Sequence, residues 1–289
     1  MPMQHASEQV CFYSHDGYAL SGHFYPAAAA KAHIIVAGAT GVPQQFYKHF
    51  AKFAQARGFS VLTFDYRGVA ASAPTNLKHF TMSCLDWGEY DLSAAIDYMH
   101  TDQCPLFVVG HSFGGQALGL THNHDRVTAL YCFGTGAGWH GYMPLAERIK
   151  VQVFWQLLFP PLVKFYGYLP WQKLGLGADL PAALFYQWKR WCNSPTYFFS
   201  DPNCAHLKQR YAQVKTHIYA VSALDDAWAL PPSRQAFMQH YTAATYHAID
   251  IQAKQYGLKQ IEHMGYFRVH ATPIWQEMLD TLTHHIDLA

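Results

Sequence analysis

The sequence is short of charge. Over 289 residues Lys and Arg outnumber Asp and Glu by one, and charged residues make up only 13 %. There is no basic surplus and no run of five like charges. That excludes the electrostatic footprint of a nucleic-acid-binding domain and the block charge of a solvated tail. With 51 % apolar residues the chain reads as globular rather than disordered. Paired cysteines are lacking too. Cys11, Cys84, Cys104, Cys132, Cys192 and Cys204 are scattered and none forms a C-x-x-C pair. A zinc ribbon or redox dithiol is therefore not expected, and reduced thiols in a cytoplasmic protein are. Met1–His5 shows no basic stretch leading into an apolar core, so no secretory signal is expected. Internal repeats and low-complexity tracts are also missing.

Histidine is the exception to this scarcity, with 19 residues. The pairs His122-x-His124 and His284-His285 could bind a metal ion, but no acidic or cysteine partner sits at zinc-like spacing. The expectation is surface or partly buried histidines and no metal.

The pattern along the chain is that of an α/β protein. Residues 10–25 alternate loosely around Asp16-Gly17 and predict an antiparallel hairpin. Continuous apolar runs at 32–39, 59–66, 105–111 and 127–136 predict strands buried on both faces. Helices are expected at 44–57, closed by Gly58, at 83–100, capped by Ser83 or Asp86, and at 113–123. Strands resume at 215–226 and 245–252, with helices at 231–241 and 272–286. Strand–helix alternation implies right-handed βαβ units in a mostly parallel sheet. Residues 137–212 break the rhythm, being rich in Trp, Tyr, Phe, Leu and Pro without strand alternation. They divide a core of 1–136 and 213–289 with a helical insertion.

Within this frame Gly110-His111-Ser112-Phe113-Gly114 fits G-x-S-x-G, with strand before and helix after. A sharp strand-to-helix turn lifts a serine hydroxyl clear of the strand ends. It sets that hydroxyl at a helix N-terminus, where free N–H groups favour developing negative charge. Such a serine needs a base, and the base needs a carboxylate to hold it. Both follow in chain order. Asp225-Asp226 closes a late strand five residues before Pro231, and Asp226 is preferred over Asp225 on that separation. His263 follows the last strand in "IEHMGYF" and is the expected base, with Glu262 beside it exposed. His111 is expected to shape packing. The oxyanion would take its two N–H donors from Phe113 and from the loop "VAGATGVPQ", where Ala39 is the first choice and Thr40 the second.

These segments together resemble the α/β-hydrolase superfamily. More closely, "IIVAGATGVPQQFY", "LDWGEYDL", "LGLGADLP", "RWCNSPTYFF" and "HMGYFR" resemble a group of bacterial α/β-hydrolases placed near serine aminopeptidases and lysophospholipase-like enzymes. The resemblance spans nearly the whole chain. It implies an eight-stranded, mostly parallel sheet flanked by helices with a helical lid insertion, a triad of Ser112, Asp226 and His263, and no cofactor. Two departures stand out: Ala37-Gly38 replaces a common His-Gly, and Ala70 replaces the second glycine of R-G-x-G-x-S.

The insertion occupies the place of a lid. Its apolar centre, with few charges, favours an apolar acyl or aryl pocket over one for a charged substrate. A membrane- or micelle-touching surface is a second reading, and a packed subdomain or homodimer interface a third. Pro160-Pro161, Gln152, Gln156 and Lys164 interrupt the run and argue against a transmembrane helix. The expected function is a serine hydrolase of carboxylic esters or related acyl compounds with apolar groups, acting through an acyl-enzyme. Acyl transfer, thioester, amide or peptide cleavage with the same triad, and a non-catalytic binding role, are the alternatives.

Overall fold

The apolar runs become the middle of one sheet. The structure, a computed structural model describing residues 6–287, has strands β1 (Glu8–Tyr13), β2 (Ala19–Tyr25), β3 (Ala32–Ala37), β4 (Phe59–Phe64), β5 (Leu106–His111), β6 (Ala129–Phe133), β7 (His217–Ala223) and β8 (Thr245–Ile251). Their spatial order is β1-β2-β4-β3-β5-β6-β7-β8. β2 pairs antiparallel with β1 and β4, and every later pairing is parallel. Every residue of β4, β5 and β6 is buried, as strands covered on both faces must be. β8 lies at the edge and is mostly exposed or half-buried. The Met1–His5 segment read for a signal lies outside the described residues.

The helices are α1 (Lys48–Gln55), α2 (Ser93–Met99), α3 (Phe113–Gln116), α4 (Leu145–Val153), α5 (Phe159–Tyr166), α6 (Ala182–Cys192), α7 (Leu207–Gln213), α8 (Pro231–Met238), α9 (Glu262–Gly265) and α10 (Thr272–Asp287). On one face of the sheet Phe50, Trp275 and Met278 pack on Ile34 and Val36. On the other, Leu92, Ile96 and Leu118 pack on Ile35 and Val108.

Two expected helices are less regular than their sequence pattern. The segment 83–100 opens with a wide π-turn at Trp87–Leu92 before α2. The segment 113–123 is α3 followed by a 3₁₀ turn, Ala117–Leu120. Close packing accounts for both. A Cβ on Gly88 would meet Leu120 at 2.4 Å, and one on Gly119 would meet the Tyr211 ring at 2.6 Å. Between β6 and β7 the chain forms the helical layer α4–α7. It contains one short antiparallel pair, Tyr168–Leu169 with Leu180–Pro181, too brief to leave an alternating signature. Ala70, where a glycine is common, holds a left-handed φ of 42°. The missing glycine is thus present as backbone strain.

Arg67, at the end of β4, is buried and fully engaged. It donates from Nε and its backbone N–H to Asp91, and from its two terminal nitrogens to Asp16 and Ser14 of the β1–β2 turn. The Arg67 guanidinium holds the Asp16 carboxyl down at about 2. A lowered folded pKa stabilises above the unfolded value, and that stability is lost as pH falls through the folded one. Asp16→Asn should therefore unfold more readily than the parent at neutral pH. The difference should vanish between about pH 4 and 2. Because Asp16 is partly exposed, the gap should stay under ~1 kcal/mol in denaturant titrations.

Candidate active site

Ser112 sits where β5 turns into α3, at φ 52° and ψ −112°. The turn is held from both sides: its N–H donates to the Phe133 carbonyl (2.9 Å) and its carbonyl accepts from Thr135 Oγ1 (3.0 Å). The flanking glycines have no room for a side chain. A Cβ on Gly114 would lie 1.8 Å from the Ala37 carbonyl oxygen, and one on Gly115 2.1 Å from Thr135 Oγ1.

Three residues from separate segments meet above this turn. Ser112 Oγ lies 3.0 Å from His263 Nε2, and His263 Nδ1 lies 3.0 Å from each Asp226 oxygen. Asp226 is fully buried at the end of β7. Burial raises its carboxyl pKa. His263 and the hydrogen bonds from His263, the Trp228 amide and Tyr266 outweigh this and hold it below the usual carboxylate range. An ionised carboxylate only accepts, so Nδ1 of His263 carries the proton and Nε2 is free to accept from the serine hydroxyl. Asp225 is turned elsewhere, accepting the Ile261 and Glu262 amides at 2.8 and 3.2 Å and so bracing the loop that carries His263.

His111 does more than pack. It is fully buried, and burial above all lowers its pKa to about 3, so the ring is neutral. Its Nε2 lies 2.8 Å from the His263 carbonyl oxygen, which can only accept; Nε2 therefore carries the proton and Nδ1 is the acceptor. Tyr47 Oη, 3.0 Å from Nδ1, must donate to it, and Tyr47 in turn accepts the Ala39 N–H at 2.8 Å. One buried chain of hydrogen bonds thus joins the 38–42 loop to the backbone of His263.

That chain begins in the loop expected to supply an oxyanion donor. The Ala39 amide, the first choice on sequence, is occupied by Tyr47. Among the described residues no acceptor faces the Thr40 or Phe113 amide. Thr40, the second choice, is the free donor on that loop. Sequence reasoning missed Tyr47 and Tyr266, and also Gly134. At φ 60°, a Cβ on Gly134 would lie 2.9 Å from Asp226 Oδ2. The spacing His263-x-x-Tyr266 was the available signal for Tyr266.

A cleft of about 190 Å³ opens over Ser112, walled by Trp171, Leu176, Trp188, Tyr197, Trp228 and Met264. Within this largely apolar wall Gln116 gives its amide N–H to Gly136 and leaves Oε1 without a partner. The histidine pairs lie outside the cleft. The His122 ring sits 5.1 Å from that of His15, beside Asp97, whose carboxylate Arg126 and Asn123 already hold. His285 is bonded to Tyr219.

The model of the alpha/beta hydrolase family matches residues 34–263. The chain belongs to this family. No curated protein matches the hydrolase closely. Solved structures share its fold at low identity. The alpha/beta hydrolase GrgF from a Penicillium species is 17 % identical, with a TM-score of 0.64 and coverage of 98 % of this chain and 100 % of that one. An esterase from Pyrococcus furiosus is 13 % identical, at 0.63 over 96 % and 91 %. The thioesterase domain of the curacin biosynthetic pathway is 12 % identical, at 0.60 over 95 % and 100 %.

In this hydrolase the glycine beside the turn is a steric requirement. Gly114→Ala should cost about 3 kcal/mol or more in urea unfolding, because backbone rather than a flexible side chain must yield. A loss below ~1 kcal/mol would show that the α3–β3 approach is looser than drawn.

Proposed function

We propose that this alpha/beta hydrolase cleaves compact carboxylic esters or related acyl compounds through an acyl-enzyme on Ser112. The observation that carries the reading is the continuous hydrogen-bonded line Ser112–His263–Asp226 at the floor of an apolar cleft. His263 Nε2 takes the serine proton as Oγ attacks the carbonyl, and Asp226 stabilises the imidazolium that forms. The Thr40 and Phe113 amides receive the oxyanion. His263 returns the proton to the leaving group, and water then releases the acyl group by the same steps in reverse.

The cleft volume supports a short acyl or aryl group, since it lies below the roughly 300–1,000 Å³ of pockets for drug-sized ligands. The helical layer α4–α6 acts as the lid, supplying Trp171, Leu176 and Trp188 to the cleft. A thioester would follow the same steps with a thiolate leaving group, so a thioester series belongs in the same assay.

The wild-type protein should react with a fluorophosphonate probe and hydrolyse p-nitrophenyl acetate and butyrate faster than long-chain esters. Ser112→Ala should not label, and its kcat should fall by about 10⁴-fold or more. Asp226→Asn should lose about 10⁴-fold. Equal labelling of wild type and Ser112→Ala would refute the mechanism, and a well-folded wild type that neither labels nor turns over would favour a binding role. His111→Phe should lower kcat about ten-fold with KM nearly constant, as expected for losing one hydrogen bond that positions the base.

A further inference from the structure

The helical layer has a face that no other described residue covers. α4, the π-turn at Phe154–Leu158 and α5 run on as one helical stretch over 145–166. Its inner side is an apolar stripe, Val151, Trp155, Phe159 and Val163, all buried. An ordinary surface helix would be polar on the other side. Here Leu145, Ile149, Val153 and Leu157 form a second stripe at spacing four, exposed by 70, 57, 43 and 70 %. In an α-helix such spacing drifts by about 40° per step. The π-turn holds more residues per turn and sets the drift back, keeping Leu157 in line. It arises where Pro160 and Pro161 cannot donate to the preceding turn. Phe165, 80 % exposed, extends the apolar surface at the far end.

Charge indicates what covers this face. Residues 137–212 carry eight Lys and Arg against three Asp and Glu, while the remainder carries twelve against sixteen. The chain is neutral only in sum: the layer is at +5 and the core at −4. Exposed Lys164 flanks Phe165, and Lys173 Nζ lies 4.7 Å over the Tyr166 ring. The stretch 145–166 itself carries Arg148, Lys150 and Lys164 against Glu147, so a second copy meeting this face across a two-fold axis would set like net charge against like, which disfavours self-association there. An apolar stripe edged by lysines and aromatic rings matches an anionic lipid surface. Among the described residues no helix is long and apolar enough to cross a membrane, so the helix would lie in the interface.

We infer that the outer face of residues 145–166 docks this protein onto anionic phospholipid surfaces. The buried side of the same stretch packs on the cleft wall: the Trp155 ring lies 4.6 Å from that of Trp188, and the Phe159 ring 6.3 Å from that of Trp171. Leu176 is half exposed and also lines the cleft, and Ala178 donates its N–H to the Gly41 carbonyl at 2.8 Å. Docking therefore sets the cleft mouth at the phase into which apolar esters partition; this consequence, unlike the docking itself, rests on the proposed function.

The test uses full-length Ser112→Ala protein, so binding is read without turnover. In flotation assays it should rise with phosphatidylcholine vesicles containing phosphatidylglycerol. Partition onto vesicles of phosphatidylcholine alone should be at least about ten-fold weaker. Raising the salt should weaken the anionic binding. The double change Ile149→Asp with Leu157→Asp should reduce binding about ten-fold or more. Introduced into wild-type Ser112 protein, it should leave turnover of soluble p-nitrophenyl acetate unchanged, which also shows that the variant folds. No flotation, equal flotation on both vesicles, or flotation indifferent to the double change would overturn the inference. So would a dimer in sedimentation that the double change dissolves. Loss of esterase activity in the parent protein would instead count against the hydrolase reading and leave the flotation result standing.

Discussion

The structure depends on how closely the turn after β5 approaches its neighbours. Ser112 takes a left-handed backbone because α3 must start directly against β3 and β6, with Gly114 on the Ala37 carbonyl and Gly115 on Thr135. Remove that approach and the serine hydroxyl no longer stands above the strand ends. The strain of one non-glycine residue at positive φ is offset by two bonds to the Ser112 backbone, from Thr135 and to Phe133. The rest of the sheet is buried scaffolding that keeps those partners in place.

Around the turn, the buried polar groups that hold His263 in place are each partnered. Neutral His111 can donate to the His263 carbonyl and accept from Tyr47 because burial suppresses its protonation. Asp226 stays ionised at the centre of four donors: the His263 ring, the Trp228 and Ala229 amides and the Tyr266 hydroxyl. In a low-dielectric interior each of these bonds is stronger than in water, and each missing one would be costly. The proposed chemistry thus rests on residues that never reach a substrate.

Much of this was legible in the sequence. Doubly buried strands announce themselves as continuous apolar runs, and the elbow, the late aspartate and the histidine after the last strand occur in a readable order. What escaped had a physical cause. Pairing two residues with two leaves no period. The π-turn at 87–92 and the short α3 follow from contacts of Gly88 with Leu120 and of Gly119 with Tyr211, 32 and 92 positions away. That the Ala39 amide is hydrogen-bonded and the Thr40 amide is not turned on a tyrosine hydroxyl eight residues along the chain. Adjacent amides look alike until one of them is occupied.

By itself, then, the sequence determined the class of sheet, the position of the elbow and the three residue types that meet there, because those depend on local pattern and chain order. Only the tertiary structure decided that Asp226 rather than Asp225 faces His263, that Thr40 rather than Ala39 keeps a free amide, and that the helix over 145–166 is apolar on both sides. Each of these is a question of which partner a group finds across the fold. Partners distant in sequence are set by packing, which no local pattern encodes.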